Sequence, residues 1–261
     1  MALIKDEESY LPEWMEYHRA LGVSHFFFYD NGCKVPLQQT LSLEIEEGLA
    51  TVVPFPSPVG TVGQRTAFTD FLTRFHGRTK WAAFIDPDEF LVPKEGDSLP
   101  QFLSEFEEFG GLVVNWAIFG SSGREVRPEG LQIENFRMRV PDNHSTSQWV
   151  KSIIQPERAL SCPEPHSFLY REGFFSVNSA GVRVDGRHVD ADYRKIQLNH
   201  YFARSKSEYM EKLSRWAVEA TYRIGMWQFD TYSKDSTVED GSILRFCPRV
   251  RDAISARRVR P

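Results

Sequence analysis

The chain is poor in cysteine, with only Cys33, Cys162 and Cys247 among 261 residues. They are far apart, odd in number and form no CxxC pair. That excludes a zinc cluster or a disulfide framework and suits a reducing compartment. No stretch approaches the roughly 18 apolar residues of a membrane span. The opening MALIKDEESY puts acidic groups where a signal peptide needs a basic region and then an apolar run. Positive charge is not in excess either: 31 Lys and Arg against 36 Asp and Glu leave a formal charge of −5. Nucleic acid, which favours basic surfaces, is therefore not an expected partner. The expected location is the cytoplasm, with peripheral attachment at the inner membrane face as a variant of it.

What is present is the composition of an ordinary folded globule, 41% hydrophobic and 26% charged. A chain of this length buries roughly three quarters of its unfolded surface, enough for a core without staples. The first half alternates strand-like and helix-like patterns, which predicts α/β architecture with a mostly parallel central sheet and helices on both faces. Ala2 to Lys5 reads as a first strand, and Leu11, Trp14, Met15, His18 and Leu21 have helical spacing before Gly22. Val23 to Tyr29 is β-rich and ends at the turn signal Asp30-Asn31-Gly32. A helix pattern through Leu37, Leu41 and Ile45 precedes a strand at Leu49 to Val53. A second through Val62, Phe68, Phe71, Leu72 and Phe75 ends at Gly77. The continuous apolar run Trp81 to Ile85 predicts a strand covered on both faces.

Further on, Leu112 to Phe119, Val150 to Ile154 and Lys195 to Tyr201 read as strands. Ser205 to Ile224 reads as the longest helix, with Ser205 or Ser207 as its cap. The end of the chain, from Arg245 to Arg260, is rich in arginine. It reads as a solvated, partly disordered tail, or as a dock for an anionic membrane. With no repeat or linker, residues 1–261 form one expected domain: a nucleotide-binding half (1–92), an acceptor-side half (93–226) and a basic tail (227–261).

Asp86-Pro87-Asp88 is the centre of the chemical reading. Two carboxylates one residue apart, on a turn beyond a buried strand, can converge on one hard cation with oxygen ligands. In open α/β sheets, ligands sit outside the carboxyl ends of the strands. Such an ion would offset the charge of a departing diphosphate. The bland alternative is a pair of turn and cap residues.

KDEESYLPEWMEYHRALGVSHFFFYDNG, WAAFIDPDEFLVP, NWAIFGSSG, VKSIIQP, EPHSF and NHYFARSKSEYMEKLSRW occur in this order. Over roughly residues 3–216 the chain resembles glycosyltransferase family 92 and its bacterial family-2-like relatives. The resemblance implies a GT-A fold, a UDP-sugar donor, Mn²⁺ (with Mg²⁺ as the alternative ion), and inverting transfer of galactose, with bacterial relatives in polysaccharide assembly. By motif it implies Asp86 and Asp88 at the metal and donor, Asp88 the more direct ligand, and His200 as a third ligand. His166 is the rival imidazole. Relatives usually carry Lys-Asn-Glu and Asn-Gly-Ser where this chain has Lys5-Asp6-Glu7 and Asn31-Gly32-Cys33.

Lys5, Glu7, Asp30 and Asn31 follow the first two strands and are expected to line the nucleotide. Gln64 and Arg65 open a helix, whose amides favour anions, and Lys151 could reach a phosphate. On the acceptor side, Trp116 could stack on a sugar, and Gly120, Ser121 and Ser122 form a small-residue turn. Inversion needs a base for the acceptor hydroxyl. Glu89, Asp185 and Asp190 are candidates for it, Asp192 lies in one loop with Asp185 and Asp190, and the sequence does not choose among them. The expected activity is hexose transfer from a UDP-sugar to a glycan or lipid-linked glycan. The alternatives are a metal-dependent nucleotidyltransferase, or a glycan-binding protein with an inactive transferase site.

Overall fold

A computed structural model describes residues 1–58, 60–216 and 225–258. The first part of the chain follows the expected β–α rhythm. β1 (Ala2–Ile4) leads into α1 (Leu11–Ala20), and β2 (Phe26–Asp30) into α2 (Leu37–Thr40) and α3 (Ser42–Glu46). β3 (Ala50–Pro54) leads into α4 (Thr61–Phe75). These three strands are parallel, with β2 in the middle.

All five residues of β2 are buried, and successive side chains leave on opposite faces. Phe26 and Phe28 join the core cluster that holds Leu11, Trp14 and Met15 of α1. Phe27 and Tyr29 join the other cluster, with Phe68 and Phe71 of α4. One aromatic strand is thus clamped between two helices, which is why its apolar run does not alternate with polar residues.

The remaining strands do not extend this parallel sheet. β4 (Ala82–Ala83) and β5 (Glu89–Pro93) flank the Asp86 turn, and α5 (Leu99–Leu103) precedes the long β6 (Gly111–Ile118). After α6 (Gln132–Asn135) and β7 (Met138–Arg139) come β8 (Val150–Ile154), the hairpin β9 (Ala159–Glu164) and β10 (Ser167–Tyr170), and β11 (Ser176–Val177). Next are β12 (Arg183–Val184), β13 (Ile196–His200), α7 (Lys206–Trp216), α8 (Met226–Asp235), β14 (Val238–Glu239) and α9 (Cys247–Arg258).

The second sheet has seven strands and is mixed. β6 is parallel to β11 and β13 and antiparallel to β8, while β13 runs antiparallel to β5 and β4 antiparallel to β8. The expected mostly parallel central sheet is therefore corrected to a parallel sheet of three strands beside a mixed one of seven. The cause is general: a continuous apolar run reports burial on both faces and carries no information on strand direction. Among the described residues, Met1 links the sheets by two bonds, from its ammonium to Ala83 O (2.7 Å) and from Ile85 N to its carbonyl oxygen (3.3 Å). The predicted strand at Trp81 to Ile85 thus keeps β8 on one edge, where Phe84 N donates to Ser152 O (3.0 Å), and meets Met1, just ahead of β1, on the other.

The C-terminal arginines form no free tail among the described residues. α9 packs on α1 with Val250 fully buried, and Ile243, Phe246 and Cys247 just before and within it are buried too. Arg257 pairs with Glu16, Glu44 and Glu47, Arg249 with Asp97, and Arg251 with Glu134. Arg245 donates to the carbonyls of Pro93, Lys94 and Gly96. Of the charges read as a membrane dock, Arg245, Arg249, Arg251 and Arg257 are matched by acidic groups and carbonyls of the body, while Arg260 lies outside the described residues. No helix of the described residues is long and apolar enough to cross a membrane. One core cluster draws on residues from Ala2 to Val250, so both halves and the C-terminal helix share it.

Candidate active site

The site is assembled where β5 begins and β6 and β13 end. Register pairs His200 with Glu89 across β13 and β5, and with Ile118 across β13 and β6. Tyr201 N then donates to Asp88 O (2.8 Å). These ladders carry the Asp86-Pro87-Asp88 turn to the edge of the sheet, and Pro87 cannot extend the strand that precedes it.

Inside the turn, Glu89 N donates to Asp86 O (3.0 Å), and Asp86 N donates to Glu89 Oε2 (2.7 Å). The two aspartates have different surroundings. Asp86 accepts from Gln64 Nε2 on one oxygen (2.7 Å) and from Lys151 Nζ on the other (2.8 Å). Asp88 faces His200 Nε2 at 3.5 Å through Oδ1 and Lys212 Nζ at 2.8 Å through Oδ2. Burial opposes the charge on Asp88, but Lys212 and His200 outweigh it and hold the carboxyl well below its usual range. Burial lowers the His200 pKa despite Asp88, and its Nδ1 is buried with no hydrogen-bond partner among the described residues.

Glu89 is fully buried. Burial pushes its carboxyl up to about 8, against the pull of Lys151 3.6 Å away. Trp116 Nε1 donates to its Oε1 (2.6 Å) while Oε2 accepts from the Asp86 amide. With both oxygens engaged, Glu89 braces the turn from beneath. Lys151, almost fully buried, remains charged because Asp86 and Glu89 more than offset its burial.

The other sequence candidates divide by what occupies their polar atoms. Asp30 accepts from the amides of Cys33 (2.8 Å) and Leu37 (2.9 Å), so it caps the turn after β2. Asn31 Oδ1 accepts from Ser57 N (2.6 Å), tying β2 to the loop after β3. Lys5 donates to Gly32 O (2.7 Å). Arg65 is exposed on α4. Glu7 lies 3.4 Å from Arg204 Nη1 and 3.5 Å from Arg215 Nη2. Burial raises its pKa, with Arg204 pulling the other way.

His166 stands apart from Asp88. Its Nδ1 is bonded to Val150 O (2.8 Å), and its ring meets Trp116 and Trp149 edge-on. Burial and Lys151 lower its pKa to about 3. Trp116 stacks on Trp149 with ring centroids 5.8 Å apart and reaches His200 at 4.5 Å. The space left by the missing side chain of Gly120 is filled by α8: an added Cβ would lie 2.7 Å from Tyr232 O and from Ser236 Oγ. Ser121 is buried, and Ser122 Oγ accepts from the amides of Arg137 and Met138. This turn is thus packed against protein, not left open. Asp185 is exposed and paired with Arg183, and Asp190 is exposed near Gln148. Asp192 pairs with Arg194.

Sequence reasoning missed Lys212, Arg204 and Arg215. A signal existed, because Glu208, Lys212 and Arg215 are spaced i, i+4, i+7 and share one face of α7. The helix starts with a reciprocal cap in which Ser205 N donates to Glu208 Oε2 (3.1 Å) and Glu208 N to Ser205 Oγ (3.4 Å). That settles Ser205 over Ser207 as the cap. Of the helix predicted over 205–224, residues 217–224 lie outside the described residues.

The donors around Asp88 fit a divalent ion. Two ligands at ~2.1 Å from one ion and at right angles lie about 3 Å apart, close to the 3.5 Å between Asp88 Oδ1 and His200 Nε2. Carboxylate and imidazole both suit Mn²⁺. Asp88 and His200 do not form a ready cluster with Asp86, whose oxygens belong to Gln64 and Lys151. Among the described residues, the grouping of close potential ligands is instead Asp6, Glu8 and Cys33.

Comparison with known proteins gives a consistent picture. The family model described as glycosyltransferase family 92 matches residues 2–225. A glycosyltransferase family 92 protein of Ricinus communis is 27% identical over 237 residues, covering 87% of this chain and 38% of that protein. One of Oryza sativa subsp. japonica is 25% identical over 234 residues, covering 87% of this chain and 36% of the relative. One of Arabidopsis thaliana is 26% identical over 186 residues, covering 66% and 31%. The chain thus spans under two fifths of the length of these relatives.

Proposed function

The chain belongs to glycosyltransferase family 92, and from that premise we propose that it is a nucleotide-sugar-dependent hexosyltransferase with a GT-A-type site. It moves a hexose, galactose by preference, from a UDP-sugar to a hydroxyl of a glycan or lipid-linked glycan, with inversion. The observation that carries this reading is the Asp86-Pro87-Asp88 turn at the strand edge. One of its carboxylates is locked by Gln64 and Lys151, and the other faces His200 and Lys212.

The division of labour follows from those contacts. Asp86, immobilised on both oxygens, fixes the turn. Asp88 and His200 would hold a divalent ion, Mn²⁺ or Mg²⁺, which would offset charge on the leaving diphosphate. In the displacement, the acceptor oxygen bonds to the anomeric carbon as the bond from that carbon to the diphosphate oxygen breaks. The acceptor hydroxyl loses its proton to a base. Glu89, fully buried and engaged on both oxygens, is poorly suited to that task. Trp116 and Trp149 offer an aromatic wall beside the turn, the kind of surface on which a sugar ring packs.

The test is release of UDP from UDP-hexoses in the presence of an oligosaccharide acceptor, with Mn²⁺ and with chelator. We expect turnover that needs the metal and drops at least a hundredfold in Asp88→Asn. A folded protein that binds no UDP, or an Asp88→Asn variant as active as the parent, would sink the proposal.

A further inference from the structure

Three cations missed in the sequence meet beside the turn, all from α7 and the segment leading into it. Lys212 Nζ is 2.8 Å from Asp88 Oδ2 and 4.1 Å from the ring of Phe202. Arg204 and Arg215 share a single carboxylate oxygen, Glu7 Oε1, at 3.4 and 3.5 Å. Both contacts are loose for charge-assisted bonds, which run ~2.7–2.9 Å. Arg204 is 5% exposed, holds φ +48, lies against the Tyr10 ring at 3.5 Å and donates Nε to Gln132 Oε1. Its Nη2 is buried with no acceptor among the described residues. Nearby Glu208 does not correct the balance: it is bonded to Tyr10 and Ser205, with Arg127 3.7 Å away.

The charge count decides what this group is for. Among the described residues, Glu7 and Asp88 are the two carboxylates paired with the three cations, while Asp86 is taken up by Lys151. A cluster built only for stability would pair its cations fully, because a buried guanidinium N–H without an acceptor costs more than a bond returns. Lys212 and Arg215 are one turn apart on the same face of α7, and both keep some exposure, 12% and 14%. They can therefore meet a ligand that enters over Asp88, with Arg204 behind them holding Glu7.

We infer that α7 supplies the phosphate grip of this site: Lys212 and Arg215 bind the diphosphate of a nucleoside diphosphate, and Arg204 is the positioning residue that sets Glu7 and Arg215. The inference rests on the proposed function and adds the groups that recognise its leaving group. It predicts selection for two phosphates over none, whatever sugar is attached. Glu7, released from Arg215 by the incoming anion, remains held by Arg204.

Calorimetric titration of UDP, and separately of uridine, into the intact chain tests it. Wild type is expected to bind UDP at least tenfold more tightly than uridine, with an affinity that falls steeply as salt is raised. Arg215→Met and Lys212→Met should each weaken UDP about tenfold or more and leave uridine unchanged, while Arg215→Lys should recover part of the loss. Equal weakening of both ligands, or unchanged UDP binding in folded variants, overturns the assignment while leaving the transferase reading intact. Salt-independent UDP binding by wild type overturns it without any variant. Failure of wild type to bind any nucleoside diphosphate overturns both.

Discussion

Lys151 Nζ lies 2.8 Å from Asp86 Oδ2, joining β8, the middle strand of the antiparallel trio β4, β8 and β6, to a turn 65 residues earlier. The lysine side chain is 2% exposed and the aspartate 22%. An ammonium buried this far is tolerable only while its carboxylates remain in place. Lys151→Met should therefore strip Asp86 of its partner and lower stability by about 2–4 kcal/mol. Urea denaturation at pH 7 measures this directly. A midpoint within error of the parent would show that the pair does not anchor the turn.

Glu13 provides a stability signal at neutral pH. Burial pushes its carboxyl up to about 7, although the amides of Gln132 and Ile133 donate to it and pull the other way. The folded chain thus holds a proton that the unfolded chain has lost between pH 4.5 and 7. Stability from this group is complete below pH 4.5 and declines as pH rises through 7. Measured against Glu13→Gln, the parent should lose up to about 3 kcal/mol between pH 4.5 and 8. A parallel pair of pH profiles would falsify this.

His18 acts with the opposite sign. It is 1% exposed, stacked on Phe90, with Nδ1 at Trp14 O (2.8 Å), and burial lowers its pKa to about 3. The unfolded chain binds a proton here below pH 6.5 and the folded chain does not until about pH 3. Stability is therefore lost as pH falls through that window, by up to ~1.4 kcal/mol per pH unit. His18→Gln should flatten the acid limb of the stability profile relative to the parent. Glu13 and His18 oppose each other between pH 4.5 and 6.5, so single variants are needed to see either one.

Gly63 marks a close backbone approach next to Gln64. A Cβ there would sit 2.1 Å from Pro58 O and 2.8 Å from Ser57 Oγ. Gly63→Ala must push α4 away from the loop after β3, carrying off the Gln64 side chain that bonds Asp86 at 2.7 Å. The expected cost is about 1–3 kcal/mol in stability, together with weaker UDP binding. Gly77→Ala, whose Cβ would meet only Glu157 Oε1 at 4.0 Å, is the control. Equal effects from both substitutions would remove α4 from the account of the site.

Much of the fold was legible where local chemistry decides. The helices at α1 and α4 and the strands β1, β2, β3, β6, β8 and β13 fall where apolar periodicity and turn residues put them, because burial acts on short stretches of chain. Strand direction was not legible. The run around Ala82 reads alike whether its neighbour is β1 or β8; it pairs with β8 on one edge and bonds Met1, ahead of β1, on the other. The arginines from Arg245 to Arg257 were misread for a related reason. Their partners, such as Glu16, Glu44 and Asp97, lie about 150 to 240 residues away, and nothing local announces them.

The site divides the same way. By itself the sequence determined the Asp86-Pro87-Asp88 turn and the family it belongs to, since a turn between two apolar runs is a local object and a motif is a string. Only the tertiary structure decided what surrounds the turn. It set His200 across from Glu89 by strand register, buried Glu89 beneath Trp116, and brought Lys151 and Lys212 to opposite ends of the turn. It also turned Gly120 toward α8 and away from open space. Such pairings depend on which segments pack together, and that outcome belongs to the whole chain's burial and charge balance rather than to any stretch of residues read alone.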